Sequence, residues 1–196
     1  MITSTLPSEL NEYLRCTLAH IPGTLGRKLR CAYYARALEH LGQRAVIGEG
    51  IEIIAPERIR IGDDFIALRG AFLCAAGGGR ITLGNRVSLT TNAMLNAGEQ
   101  GVIEIGDDSG IGNNCVLRAS AHSYRDPNRP FKSQEIVPGK IVVEDDVWVA
   151  ANCTLLPGTH LERGCVVSSG SVVGGRVKAF SVIAGNPARV IARRGG

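Results

Sequence analysis

One histidine of this chain lies where it could do acid–base chemistry. The sequence has four histidines. His20 and His40 belong to the N-terminal segment, and His160 follows a Pro-Gly turn. His122 instead lies in a long excursion, 118–140, and long loops on a rigid scaffold often carry function. Since imidazole can take up and return a proton near neutral pH, His122 is the candidate for a general base.

A six-residue cadence of aliphatic side chains indicates the scaffold that holds this loop. Every sixth residue is aliphatic at Val143, Val149, Leu155, Leu161, Val167 and Val173. The same register occurs earlier at Ile61, Leu73, Leu83, Leu89, Leu95, Ile105, Ile111 and Leu117. Neither a helix nor an alternating strand has this period. It predicts triangular coils, with one short strand and one corner per hexapeptide, that stack to bury a common core.

The fourth residue after each aliphatic is restricted too. It is small or β-branched at Ala71, Val87, Ala93, Ser109, Cys115, Val147, Cys153, Thr159, Cys165, Ser171 and Val177. We expect this residue to fit where the wall turns, and large side chains to be kept out. The starts at residues 61, 83 and 105 are 22 residues apart, which is three hexapeptides plus a four-residue excursion.

The chain divides into three parts. We expect a helical cap over 1–44, a solenoid over 45–185 that is interrupted by the loop 118–140, and a C-terminal tail over 186–196. In the cap, a helix starts near Pro7-Ser8-Glu9 and carries Leu10, Leu14 and Leu18 on one face. A second helical segment, 25–41, carries the basic residues Arg27, Lys28, Arg30 and Arg36. Two interpretations stay open: the helices cover the first coil, or they lie on a membrane surface.

The composition limits the function classes. The net charge of +4 over 196 residues is mild, and no block of Lys and Arg predicts nucleic-acid binding. No apolar run could span a bilayer and no signal peptide is visible, so we expect a cytoplasmic protein, with the inner face of the membrane as an option. The six cysteines form no CxxC pair, and we interpret them as buried thiols.

Several motifs make the chain resemble the hexapeptide-repeat acyltransferases, in particular sugar O-acetyltransferases of the maltose and galactoside type. The motifs are the repeat, Asn92 thirty residues before His122, the loop HSYRDPNRPF, the segment DDVWVAANCTLLPG and the segment AGNPARVI. The resemblance covers about residues 45–194. It implies an all-β fold, a left-handed parallel β-helix, with the helical cap at one end and a short extension at the other. The left hand is implied by the resemblance alone.

The resemblance also implies a reaction and an assembly. Acetyl-CoA donates an acetyl group to a carbohydrate hydroxyl, His122 removes the hydroxyl proton, and Asn92 helps to hold acceptor and intermediate. A corner residue with left-handed backbone angles is the other interpretation of Asn92. The family site lies between subunits, which implies a homotrimer.

Other positions match the family's acceptor and cofactor residues in part. Glu99 fits an acidic acceptor-binding position, and Gln100 departs from one. Trp148, the only tryptophan, faces outward and could contact a sugar or a neighbouring subunit. Ala151 and Ser169 align with positions that contact the pantetheine arm of coenzyme A. At the distal end Arg176, Lys178, Arg189 and Arg193 could contact its phosphates, or form a solvated basic tail.

Alternatives to this function are an N-acetyltransferase of a nucleotide-linked amino sugar and a non-catalytic scaffold. We expect no metal, because a zinc site of the γ-carbonic anhydrase type needs three converging histidines and the solenoid has only His122 and His160. The pairs Asp63-Asp64, Asp107-Asp108 and Asp145-Asp146 recur at one corner, where we expect them to cap the turning backbone. The identity of the acceptor and the acyl chain length stay open.

Overall fold

A computed structural model describes residues 6–195 as a parallel β-solenoid of three sheets with two helices at its N-terminal end. The chain visits the sheets, here A, B and C, in the same order in every coil. The helices are α1 (Leu6–His20) and α2 (Gly23–Ala37), and short 3-10 turns lie at Pro56–Arg58 and Phe131–Ser133. This architecture confirms the coils predicted from the cadence.

The strands of the three sheets are short. Sheet A contains β1 (His40–Leu41), β4 (Ile59–Ile61), β7 (Arg80–Leu83), β10 (Val102–Ile105), β15 (Lys140–Val143), β18 (His160–Leu161) and β21 (Arg176–Val177). Sheet B contains β2 (Val46–Ile47), β5 (Ile66–Ala67), β8 (Ser88–Leu89), β11 (Gly110–Ile111), β16 (Trp148–Val149), β19 (Val166–Val167), β22 (Ser181–Gly185) and β23 (Ala188–Arg193). Sheet C contains β3 (Glu52–Ile54), β6 (Phe72–Cys74), β9 (Met94–Asn96), β12 (Val116–Arg118), β17 (Thr154–Leu155) and β20 (Val172–Val173).

The aliphatic cadence forms the core. Leu89, Ile111 and Val149 are stacked partners in sheet B, and each is fully buried. Equivalent stacks of buried aliphatic residues fill the inner faces of sheets A and C. One coil cannot cover its own inner face, so the stacking of coils accounts for the stability of the fold.

Two residues depart from the expected corner rule. Phe65 is fully buried at a corner position where we expected only small side chains, and the preceding coil carries the small Ala45 at the same place. Val177 is not a corner residue, because only two residues separate β20 from β21 and Val177 pairs with Leu161 inside sheet A.

The paired aspartates have the structural role that we expected. At the corner between sheets A and B, Oδ1 of Asn85 accepts the backbone N–H of Asp63 (2.9 Å), and Oδ1 of Asp107 accepts that of Asn85 (2.8 Å). Asp145 accepts the N–H of Asp107 in the same way (2.8 Å). Each carboxylate or amide thus ties its coil to the one before. Among the described residues no group of three His, Cys, Asp or Glu side chains could hold a metal ion.

The helices cover the first coil. Arg30 is buried and donates from Nε to Ile47 O (3.0 Å), while its Nη1 donates to the carbonyls of Leu18 (3.0 Å) and Ile21 (2.8 Å) at the end of α1. Arg15 donates to Ile53 O (3.2 Å). In later coils the preceding coil donates to the equivalent carbonyls, as the Gly48 N–H does to Ala67 O (2.8 Å). No coil precedes the first one, and the two arginines supply the donors there. The cap interpretation is therefore correct, and Arg30 is not part of an exposed basic face.

The N-terminal expectations are wrong in two details. The face with Leu10 and Leu14 is exposed, because α1 contacts the solenoid through the stripe that contains Arg15 and Ala19. The second helix ends at Ala37, since residues 40 and 41 already form the first strand of sheet A. No helix of the described residues is long and apolar enough to cross a membrane.

The C-terminal segment is more ordered than a tail. Ala188–Arg193 forms β23, which pairs antiparallel with β22 and covers the edge of sheet B. The division into three domains stays a prediction. All six cysteines are free, and Cys74, Cys115, Cys153 and Cys165 are buried as expected, whereas Cys16 is exposed.

Candidate functional site

His122 lies on a hairpin that leaves the solenoid at the corner between sheets C and A. The hairpin consists of β13 (Ser120–His122) and β14 (Ile136–Pro138), with His122 opposite Ile136. The imidazole packs edge-on against Phe131, with ring centroids 5.5 Å apart. Its Nδ1 is buried and has no hydrogen-bond partner among the residues that the structure describes. The scaffold thus presents a half-buried imidazole on a projecting loop.

Gln134 holds the hairpin loop together. Its Oε1 accepts the backbone N–H of Asp126 (3.2 Å) and the hydroxyl of Ser123 (3.4 Å). Its Nε2 donates to the carbonyls of Asp126 and Arg129, both at 3.0 Å. These bonds fix Ser123, the residue after His122, so the loop has a defined conformation held by side-chain hydrogen bonds.

Glu99 and Gln100 lie at the corner from which the hairpin leaves, one coil earlier. Both have positive φ angles, 57° and 64°, and both side chains are exposed. Their backbone N–H groups donate to Ala76 O and Gly77 O (each 3.0 Å), which fixes them to the preceding coil. The structure therefore brings Glu99, Gln100 and His122 to one corner, as the 22-residue coil predicted.

Asn92 lies at a different corner, between sheets B and C. Its φ is 58°, and its amide donates to Oδ1 of Asn114 (3.2 Å), which in turn donates to Oδ1 of Asn152 (3.2 Å). This ladder gives Asn92 a structural role at the corner. Within one chain it is not next to His122.

Trp148 projects from the outer face of sheet B and is 59% exposed. Sheet B is the wall opposite the corner between sheets C and A. The core lies between them, so Trp148 cannot contact His122 of the same chain.

The expected cofactor residues are distributed over three places. Ala151 and Ser169 lie at the corner between sheets B and C, where the carbonyl of Ala151 accepts a bond from the residue after Ser169 (3.0 Å). On sheet A, Arg176 and Lys178 lie 2.6 Å and 3.7 Å from a carboxylate oxygen of Glu162. These contacts and the backbone N–H of Ala179 hold the pKa of Glu162 below its usual value, with the backbone bond as the largest cause.

Arg189 and Arg193 lie on β23. Arg193 donates to Ala179 O (3.1 Å), and the exposed Arg189 side chain donates to Ala188 O (2.9 Å) with no carboxylate partner among residues 6–195. The structure therefore does not gather the six expected residues into one patch of a single chain. The charge of Arg176 is already compensated, whereas that of Arg189 is available.

His160 is engaged elsewhere. Its Nε2 lies 2.7 Å from Oε1 of Glu144, whose other oxygen accepts the backbone N–H of Arg163 (2.9 Å). Two hydrogen bonds hold the pKa of Glu144 below its usual value: the bond to His160 is the larger cause, and the bond from the Arg163 N–H is the smaller one. His160 is thus part of the charged outer face of sheet A.

The sequence analysis did not anticipate a cavity of about 510 Å³ beside Trp148. Its wall includes Ser88 and Gly110, and its rim includes two arginine–aspartate pairs, Arg86 with Asp108 and Arg194 with Asp146. The available signal was a glycine, Gly110, within a strand at an outward position.

Comparison with known proteins assigns the chain to a family. Residues 140–175 match the bacterial transferase hexapeptide (six repeats) family. WbbJ of Escherichia coli, whose name describes an O-acetyl transferase of lipopolysaccharide biosynthesis, is 31% identical over 140 residues, which are 68% of this chain and 70% of WbbJ. The chain belongs to the bacterial hexapeptide transferase family, which confirms the resemblance seen in the sequence.

A second relative agrees with this assignment, and a solved structure has the same fold. A protein of Mycobacterium tuberculosis that is named as an acetyltransferase is 30% identical over 93% of this chain, and the chain spans 62% of its length. A mutant of AntD, an N-acyltransferase from Bacillus cereus solved with dTDP-4-amino-4,6-dideoxyglucose and coenzyme A, has the same fold. It matches 84% of this chain and 88% of its own with a TM-score of 0.74 and 20% identity.

Proposed function

We propose that this protein transfers the acetyl group of acetyl-CoA to a hydroxyl of a carbohydrate in surface glycan synthesis, with His122 as general base. The observation that carries the proposal is the half-buried imidazole on a built hairpin. His160, the other histidine of the solenoid, is bonded to a carboxylate. WbbJ supports the choice of a hydroxyl as the acceptor.

The chemistry follows from the imidazole. Since Nδ1 is buried, we assign Nε2 as the ring nitrogen that meets the substrate. It takes the proton of the acceptor hydroxyl as the oxygen attacks the thioester carbonyl. The carbon–sulfur bond of the tetrahedral intermediate then breaks, and the imidazolium returns the proton to the departing thiolate. Backbone N–H groups at the corners are the candidates to stabilise the oxyanion, and Asn92, which does not lie next to His122 within one chain, would hold the acceptor from a neighbouring copy.

The three outer walls of the solenoid differ in a way that supports a homotrimer. Sheet A has a charged outer face with the pairs Lys140–Glu104, His160–Glu144 and Arg176–Glu162. The outer faces of sheets B and C carry exposed apolar side chains, which are Ile66, Leu68 and Trp148 on B and Met94 and Leu156 on C. Apolar outer faces of this kind mark interfaces. Packing of sheet B of one copy against sheet C of the next would close into a ring of three when the rotation between copies is about 120°.

This packing also completes the site. Sheet C ends at the corner that carries His122, Glu99 and Gln100, and sheet B of the next copy carries Trp148. A groove between the two walls would thus hold the base of one copy opposite the aromatic ring of another. We propose that acetyl-CoA lies in this groove along Ala151 and Ser169, with its phosphates near Arg189 and Arg193. Arg176 and Lys178 could assist only after releasing Glu162.

An acceptor screen tests the proposal. Thiol release from acetyl-CoA is measured with a panel of glycans and amino sugars, and each product is identified by mass spectrometry. An O-acetylated glycan supports the proposal. An N-acetylated amino sugar nucleotide would instead support the alternative that AntD suggests. If the protein neither transfers an acetyl group nor binds coenzyme A, the result supports the non-catalytic scaffold instead.

A peripheral membrane contact is a second proposal. Leu10, Tyr13, Leu14, Leu25 and Leu29 are exposed on the two helices. Arg27 and Lys28 lie nearby in α2, and both are exposed. Such a surface fits the inner face of a membrane, where lipid-linked glycans would be modified by a cytoplasmic enzyme. Cosedimentation with anionic liposomes tests it, and full recovery of the protein in the supernatant contradicts it.

A further inference from the structure

The cavity beside Trp148 has a shape and a chemistry of its own. It lies on the outer face of sheet B, and its volume of about 510 Å³ is within the range of small-molecule sites. One side of it is the exposed indole ring. The floor is Gly110, between Ser88 of the preceding coil and Trp148 of the next. An aromatic face beside an open floor is a surface on which a flat apolar ligand face can stack.

No backbone atom excludes a side chain at position 110, and the one tight contact is with the hydroxyl of Ser88, which can rotate away. The φ of Gly110 is not positive, and a Cβ there would lie 3.2 Å from Oγ of Ser88 and 4.0 Å from Cδ1 of Trp148. Gly112, two residues further, differs because a Cβ would lie 2.5 Å from the backbone of Ala150. A glycine weakens a strand, and it often marks a place that a ligand approaches closely. Gly112 is therefore explained by the stacking of coils, whereas Gly110 keeps the cavity open.

The rim of the cavity is polar but internally neutralised. Arg86 lies 2.5 Å from Asp108, and Arg194 lies 2.8 Å from Asp146. Two arginines and two aspartates leave no net charge on the rim. They still present donors and acceptors at its edge, since each group has bonding capacity beyond its partner. A ligand with hydroxyl groups can use both kinds, and a charged ligand finds no free counter-charge.

We propose that this cavity binds an uncharged pyranose ring of the acceptor. Trp148 stacks on the apolar face of the ring, Ser88 and the two ion pairs bond to its hydroxyls, and Gly110 leaves room for it. The proposal rests on the proposed function and deepens it, because it names a neutral sugar as the acceptor unit. In the proposed trimer, the hairpin of the neighbouring copy lies across the groove from this cavity.

Gly110→Val is the sharpest test, because valine favours a strand and yet fills the cavity. Since Trp148 is the only tryptophan, its fluorescence reports directly on the cavity. The full chain is titrated with methyl glycosides of glucose, galactose and mannose, with glucuronate and with glucosamine. The wild type should show saturable quenching or a spectral shift with at least one neutral glycoside. Gly110→Val should lose this response at least tenfold in apparent affinity and keep the trimer and its melting temperature.

Thr82→Val is the matched control, since Thr82 lies on an outward strand position of sheet A, away from the cavity. It should respond like the wild type. No response of the wild type to any neutral glycoside, equal binding of glucuronate or glucosamine, or an unchanged response in Gly110→Val would each overturn the proposal. Loss of the trimer in Gly110→Val would also overturn it, because the glycine would then serve subunit packing. If the wild type transfers acetyl groups and Gly110→Val keeps its acceptor KM, this inference fails while the proposed function stands.

Discussion

Trp148 projects from the wall that lies opposite the corner where the hairpin of His122 leaves the solenoid. The core of each coil separates the two side chains, so a site that uses both must draw them from different copies. Neither residue reveals this relationship alone. It follows from the assignment of each to its sheet or corner.

Subunit complementation tests this relationship. We expect His122→Ala and Trp148→Ala to be weakly active when each is expressed alone. Coexpression in equal amounts should restore about a quarter of wild-type activity, because about one site in four pairs an intact histidine with an intact tryptophan in a mixed ring. The measurement is the turnover of the copurified mixture. Activity no higher than that of the single variants would show that the two residues do not share a site between copies.

A second prediction separates the two histidines of the solenoid. His122→Gln should lower turnover by roughly 10²–10⁴-fold and leave the fold intact, because positioned general-base catalysis contributes that much. His160→Gln removes an imidazole that contacts Glu144 on the outer face of sheet A, and it should keep turnover near that of the wild type. Steady-state kinetics and circular dichroism of both variants are the measurements. Near-wild-type turnover in His122→Gln would remove the base from the mechanism.

The apolar outer face of sheet C gives a third prediction. Met94 is 36% exposed there, and Met94→Glu should place a charge in the proposed interface and dissociate the proposed trimer. Thr82→Glu, at an outward position of the charged sheet A, is the matched control and should leave assembly unchanged. Light scattering after size-exclusion chromatography measures the mass. If Met94→Glu remains a trimer, sheet C is not the interface.

The cadence of aliphatic residues predicted most of the fold, because side chains that point inward at every sixth residue are buried only in stacked triangular coils, whereas the hand of the coil does not follow from the cadence. The position of His122 followed from the length of its excursion. The cavity could not be predicted, since it depends on Gly110 lying between Ser88 and Trp148, which are 22 and 38 residues away along the chain. The role of Arg30 was missed for a related reason. Its partners Leu18, Ile21 and Ile47 are carbonyl oxygens, which no side-chain pattern records.

The hydrogen bonds that link Asp63, Asn85 and Asp107 at the corner between sheets A and B give a prediction about pH. Two hydrogen bonds from Asn85 hold the pKa of Asp107 below the ordinary value of about 3.9: the bond from the backbone N–H is the larger cause, and the bond from the side-chain amide is the smaller one. A lowered pKa adds stability above the unfolded-state value, and this stability is lost as the pH falls through the folded value. Asp107→Asn should therefore melt at a lower temperature than the wild type at pH 7, and the two melting temperatures should converge on acidification.

Asp107→Asn should keep the hydrogen bond from the Asn85 N–H, because an amide oxygen can accept it in the same way as Oδ1 of Asn85 accepts the N–H of Asp63. Circular dichroism melts from pH 7 to pH 3 measure the difference. A gap that stays constant or widens towards acid pH would contradict the prediction, because it would separate the stability of the corner from the titration of Asp107.

The buried arginine of the cap leads to the last prediction. Arg30→Met keeps much of the volume and removes all four hydrogen bonds of the guanidinium, which leaves the edge carbonyl of Ile47 and the carbonyls of Leu18 and Ile21 without this donor. Each buried group without a partner costs about 1–3 kcal/mol, so the free energy of unfolding should fall by at least that amount. Arg27→Met, at an exposed position of the same helix, should change it little. Chemical denaturation of both variants measures the loss. Equal stability of the two would mean that α1 and α2 are held to the first coil by apolar contacts such as those of Tyr34 and Leu38.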